Sequence, residues 1–169
     1  MKNYLLISMA LIFVLNSCSE GSVNSAKQPN DIGVQVMDLL NVMGDITKPE
    51  FSEYFISAKE LKEIAENKDL GIEEEQQRIM STTTREAMKI RYNFMFKRLK
   101  RSGKRIGLNW EKAEFVDFNF EIKSQGGAKF CYGELQFKYR NEVFSVNTTS
   151  VFDGEKYILS SVDQLGKAN

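Results

Sequence analysis

The chain has 169 residues, of which 42% are hydrophobic, 11% aromatic and 27% charged. That length and mix suit one folded domain with a real core and exclude disorder, a collagen repeat and a disulfide-stapled miniprotein. Lys plus Arg and Asp plus Glu each total 23 and there is no histidine. No global charge therefore draws the chain to nucleic acid. The commonest general base, the Ser-His and Cys-His pairs and most zinc and iron sites are also excluded.

Residues 1–17 read as a signal peptide. Lys2 supplies a positive start, and Leu5 to Leu15 is mainly apolar, with Ser8 its only polar residue. That run is too short for the ~20 apolar residues of a membrane-spanning helix and fits a secretory leader. Leu15-Asn16-Ser17-Cys18 follows directly. It resembles the lipobox of bacterial lipoproteins, which implies cleavage before Cys18, acylation of its thiol and new amino group, and a lipid-anchored protein in the cell envelope. The serine after the cysteine implies the outer membrane, facing the periplasm. Cys131 then has no partner for an intrachain disulfide. It lies in a strand pattern and reads as a buried inert thiol, the alternative being a reactive nucleophile.

Residues 18–30, polar and small after the cysteine, are expected to form a flexible tether. A single domain is expected over 31–169. Ile32, Val36, Leu39, Leu40 and Met43 predict a first helix, capped by Asn30 or Asp31 and ended by Gly44-Asp45. Thr47 and Pro49 start a second, with Phe51, Tyr54 and Phe55 on its apolar side. Ser57 and Glu60 form a capping box for a third, running to about Lys68. Residues 72–102 are one helix with a weak point at Ser81–Thr84, or two helices with Thr83 and Glu86 as a second capping box. Gly103 is the expected stop. The stripe Met88, Tyr92, Met95, Phe96 and Leu99 is broad enough to face a core.

Beyond Gly107 the period changes from 3.6 to 2. Val116, Phe118, Phe120 and Ile122 alternate with Asp117, Asn119, Glu121 and Lys123. Turns at Gln125-Gly126-Gly127, Arg140-Asn141 and Asp153-Gly154 separate further strands at about 129–139, 142–152 and 156–164. The alternation slips across Gly133, which predicts a β-bulge there. Trp110 reads as a packing anchor ahead of the first strand. The expected fold class is α+β: N-terminal helices packed on a C-terminal four-stranded antiparallel meander, with Met88, Tyr92, Phe96 and Leu99 against Phe118 and Phe120.

Helices followed by a curved meander ending in Asp153-Gly154-Glu155-Lys156-Tyr157-Ile158 resemble the nuclear transport factor two-like superfamily of cone-shaped α+β folds. The resemblance implies a pocket between the sheet and the helices, and it covers isomerases, dehydratases and pure binding domains. Applied here, it points to Tyr54, Tyr92, Asp117, Tyr132 and Glu134 as pocket groups. Asp117 or Glu134 is a buried base on one reading and a solvent-facing strand residue on the other.

Lys97, Arg98, Lys100, Arg101, Lys104 and Arg105 crowd into nine positions without an acid. They read as a solvated helix terminus, or as a patch for anionic headgroups or an acidic partner. Asn147 to Ser150, Ser160 and Ser161 read as a wet sheet face or as the polar lining of a small-ligand groove. No Gly-rich phosphate loop, Cys-pair metal spacing or calcium loop is present, so no cofactor is expected. The sequence thus predicts a lipid-anchored, non-catalytic binding domain, with an envelope protein or a small molecule as its partner and no nucleic acid. The alternatives are a periplasmic isomerase or dehydratase with a Tyr/carboxylate pocket, and a structural or assembly partner of another envelope protein.

Overall fold

The computed structural model describes residues 25–168. Cys18 and the signal peptide lie outside them. Five helices precede the long strands: α1 (Pro29–Val42), α2 (Lys48–Glu53), α3 (Ala58–Glu66), α4 (Glu74–Thr82) and α5 (Arg85–Arg105). The strands are β1 (Ser25–Ala26), β2 (Glu114–Gln125), β3 (Ala128–Tyr139), β4 (Glu142–Phe152) and β5 (Tyr157–Lys167). They form one curled antiparallel sheet in the order β1-β5-β4-β3-β2. The fold is α+β as expected, but the sheet has five strands, not four. The extra one comes from the segment expected to be tether: Ser25 pairs with Ile158 and Ala26 with Tyr157, and Ala26 is buried. Two residues are too few to show a period-2 alternation, so a reading of the pattern misses them.

The helix ends follow local chemistry. The Thr47 N–H donates to Glu50 Oε2 at 2.7 Å and the Ser57 N–H to Glu60 Oε2 at 2.7 Å, closing the boxes that start α2 and α3. α1 starts earlier than expected, at Pro29 behind Gln28, because proline has no N–H to leave unpaired in a first turn. The weak point at 81–84 is a complete break between α4 and α5. Thr82 and Thr83 hydroxyls donate back to carbonyls of α4, and Thr84 Oγ1, not Thr83, accepts from the Ala87 N–H at 3.2 Å to cap α5.

Gly103 does not stop α5. It lies inside the helix, buried, with the Trp110 ring against its Cα where any side chain would collide. The helix ends at Arg105, and Gly107 just beyond it turns the chain with a φ of +62°, the left-handed conformation that glycine adopts without strain.

α1 lies across β2, β3 and β5, while α5 lies along β5 and against α2. Met88, Tyr92, Met95 and Leu99 are buried and Phe96 is half-buried. They do not meet Phe118 and Phe120 as expected. Phe118 is covered by α1, where Gly33 leaves room for its ring, and Phe120 is 40% exposed. The reason is in the sheet order: β2 and β5 lie on opposite sides of β3 and β4, so a helix along β5 cannot reach β2.

The bulge expected at Gly133 is absent. Gly133 pairs in unbroken register with Phe120 and Thr148. It is glycine because the Phe118 ring lies over its Cα, where a Cβ would collide. Cys131, Leu135, Phe137 and Tyr139 face the helices throughout, and Phe130 and Tyr132 lie on the outer face. The irregularities fall elsewhere: at Val116 in β2, and at two places between β4 and β5.

Candidate functional site

The interface between sheet and helices, where a cone-shaped fold would hold its pocket, is filled. Val36, Leu39, Leu40, Leu135, Phe137, Val146 and Val162 are all fully buried there. Among the described residues, clefts lie elsewhere, and two of them are lined by polar side chains.

The first is a shallow trough of about 570 Å³ on the outer face of the sheet. Its floor follows from strand register, since residues directly opposite one another share a face. One row runs Asn119–Glu134–Asn147–Asp163 across four strands. The next runs Glu121–Tyr132–Thr149–Ser161. Gln164 closes one side, where Asn147 Nδ2 donates to its Oε1 at 2.8 Å. Gln164 reaches that place because its φ of +59° turns β5 at an irregularity. Arg98 Nη1 of α5 lies 3.1 Å from Asp163 Oδ2 and holds that carboxylate at the rim. Lys123 pairs with Glu121 and stands 5.8 Å from the centre of the Tyr132 ring. Three carboxylates, three amides, two hydroxyls and one phenol ring therefore surround a volume in the range of small-ligand sites.

The second cleft, of about 530 Å³, lies where the loop after α3 meets the β2–β3 and β4–β5 turns. Asn67, Asp69, Leu70, Lys129, Phe152, Asp153 and Glu155 line it. Much of its polarity is spent locally. Asp153 Oδ1 accepts from the backbone N–H groups of Glu155 and Lys156, and Asn67 Oδ1 accepts from that of Asp69. None of the candidate pocket or surface residues named from the sequence belongs to it, although Asp153-Gly154-Glu155 of the final hairpin turn does.

The five pocket candidates separate. Tyr132 and Glu134 come together in the trough. Asp117 is exposed on β2, accepting from the Phe118 N–H at 2.9 Å and from Asn119 Nδ2 at 3.1 Å. Tyr54 is half-buried at the end of α2. Tyr92 is sealed in the core, where its hydroxyl donates to the Ile56 carbonyl. Burial pushes that hydroxyl well above the ordinary tyrosine range, so it keeps its proton. Glu134 is half-buried at the trough rather than enclosed. Cys131 is buried and free, and desolvation pushes its thiol up to about 11. It therefore stays protonated at neutral pH and is a poor nucleophile.

Of the basic residues, Lys97, Arg98, Arg101, Lys104 and Arg105 are exposed. Lys100 is half-buried: its Nζ donates to the Gly44 carbonyl at 2.7 Å and stands over the Phe96 ring. Among the described residues no group of three Cys, Asp or Glu side chains is placed to hold a metal ion, and no helix is long and apolar enough to cross a membrane.

The signal for Asn119, Asn147, Thr149, Ser161 and Asp163 as trough residues was the alternation of polar positions along the strands. Their meeting in rows also needs the register. Comparison with protein-family models, with curated proteins and with solved structures found no match for this chain.

Proposed function

We propose that this chain is a bacterial lipoprotein, held in the envelope by an acylated Cys18, whose α+β domain binds a small polyhydroxylated ligand in the trough across its sheet. The observation that carries the binding role is the pair of polar rows crossing four strands. Amides, hydroxyls and carboxylates in fixed positions offer both donors and acceptors, and the Tyr132 ring offers an apolar face for a sugar to lie on. The address rests on the leader and on Leu15-Asn16-Ser17-Cys18, and by it the domain faces the periplasm from the outer membrane. The likeness to the cone-shaped superfamily is supported by α1 lying across a curled sheet.

Binding is favoured over an isomerase or dehydratase reaction by how the Tyr/carboxylate groups are used. Tyr92 is committed to Ile56, Asp117 to its own strand, and Glu134 lies in an open trough that does not exclude water. Titration of the ¹⁵N-labelled protein with chitotriose and maltotriose tests the reading. Saturable amide shifts confined to Gly133, Asn147, Thr149 and Ser161, lost in Tyr132→Ala, are expected. Shifts absent or spread evenly over the surface for both sugars would reject it.

A docking role is a second reading, favoured by a specific observation: β2 is an edge strand with Phe115, Val116, Phe120 and Ile122 all at least 40% exposed.

A further inference from the structure

We propose that β2 is a homotypic interface, at which Asp117–Lys123 pairs antiparallel with the same segment of a second copy of this chain and joins two sheets into one. This goes beyond the trough reading and does not depend on any ligand there.

β2 ends the sheet order, so one side of a 12-residue strand has no strand beside it among the described residues. Among its residues only Phe118 is buried. Long apolar edges of this kind template pairing with another chain, and soluble proteins usually blunt them with proline, a bulge or a short length. Here the bulge at Val116 protects only the start of the strand. From Asp117 to Gln125 the register with β3 is unbroken, and no proline interrupts it.

The segment is self-complementary. In a two-fold arrangement with Phe120 opposite Phe120 of the second copy, Asp117 lies opposite Lys123 and Asn119 opposite Glu121, each twice. On the other face Phe118 lies opposite Ile122. All apolar side chains then share the helix-side face, and on the outer face Asp117 and Lys123 of the two copies pair opposite charges while Glu121 faces the Asn119 amide. A shift that centres the pair on Asn119 sets Asp117 against Glu121. A shift that centres it on Glu121 sets that carboxylate against itself. Charge therefore favours the Phe120-centred register over these two. A register centred on Ile122 also pairs opposite charges, Lys123 with Glu121, but there Phe120 would oppose Ser124, so the apolar face decides against it. Phe120 and Ile122, 40% and 47% exposed, lie past the cover that α1 gives Phe118. The second copy supplies the missing cover.

The test uses the full chain extracted from membranes in mild detergent. Directly opposed residues of an antiparallel pair have Cα atoms about 4.5–5.5 Å apart, within disulfide range. Phe120→Cys, in a Cys131→Ala background, is expected to give a disulfide-linked dimer under mild oxidation, at least fivefold more than Val143→Cys, an exposed site away from the interface. With the native β2, sedimentation is expected to show a dimer. Asp117→Lys should weaken its association at least tenfold by setting Lys opposite Lys123, and Asp117→Lys with Lys123→Asp should restore it. A monomer at tens of micromolar, equal crosslinking at 120 and 143, or failure of the double exchange to restore association would each overturn the proposal. Because Asp117 and Lys123 are exposed residues of the edge strand, circular dichroism of the charge variants is expected to match that of the native chain.

Discussion

At Gly133 the backbone is ordinary and the constraint is steric. The Phe118 ring lies on its Cα, and a Cβ would also come within 2.7 Å of Thr148 Oγ1. Thr148 is buried, so neither neighbour can swing away into solvent. Gly133→Ala is therefore expected to destabilise the fold by about 1–3 kcal/mol through overpacking, read as a lower urea midpoint with an unchanged slope. An unpaired bulge residue would tolerate the same change, so a neutral result would refute the packing account. The sequence showed that Gly133 was special but not why. The slip of alternation around it comes from Phe130 and Tyr132 facing outward, and aromatic side chains on an outer face look the same in sequence as aromatic side chains on an inner one.

At the level of elements, what was legible depended on whether the determining contact was local. The capping box at Ser57 and the helix start at Thr47-Pro49 involve residues within one turn and were readable directly. So were the two-residue turns at Gly126-Gly127 and Arg140-Asn141, all four residues having positive φ. Those turns fix the register of β2 on β3 and of β3 on β4, and with it most of both trough rows. The irregularities between β4 and β5 shift the last column and have no signal in the residues themselves. The placement of α5 was equally non-local. It is tied to the sheet through residues 55–57, which run along the open part of β5's edge: the Ile56 N–H donates to the Leu159 carbonyl at 2.8 Å, and the Ile56 carbonyl accepts from the Tyr92 hydroxyl. Phe51, Phe55 and Tyr92 stack around that strap, with Phe55 and Tyr92 rings 4.9 Å apart. Tyr92→Phe keeps the stack and removes the hydroxyl, leaving a buried carbonyl short of a donor. It is expected to lower unfolding free energy by about 1–2 kcal/mol. Denaturant unfolding is the measurement, and a change under 0.3 kcal/mol would mean that apolar packing alone holds α5 in place.

For the molecule as a whole, the sheet begins sooner after Cys18 than composition suggests. With Ser25 already paired to Ile158, only residues 19–24 lie between the proposed lipid and the folded domain. At ~3.5 Å per residue, Cys18 and Ser25 are at most about 25 Å apart. An acylated Cys18 therefore keeps the β1–β5 side of the domain close to the headgroups. The opposite edge, β2, lies across the full width of the sheet and is left open to a second copy. One acyl chain gives only marginal membrane binding, whereas several on one cysteine hold a domain durably. Residence of this chain on the membrane then depends on one thiol. Cys18→Ser is expected to abolish incorporation of labelled palmitate and to leave the protein either soluble or at its precursor length. Thermal unfolding of its folded domain should be unchanged, because the described core starts at Ala26. Fractionation, acyl labelling and a melting curve on the same preparation check all three. A variant that stays in the membrane fraction with its acyl label intact would show that Cys18 is not the attachment point, and the envelope address would lose its anchor.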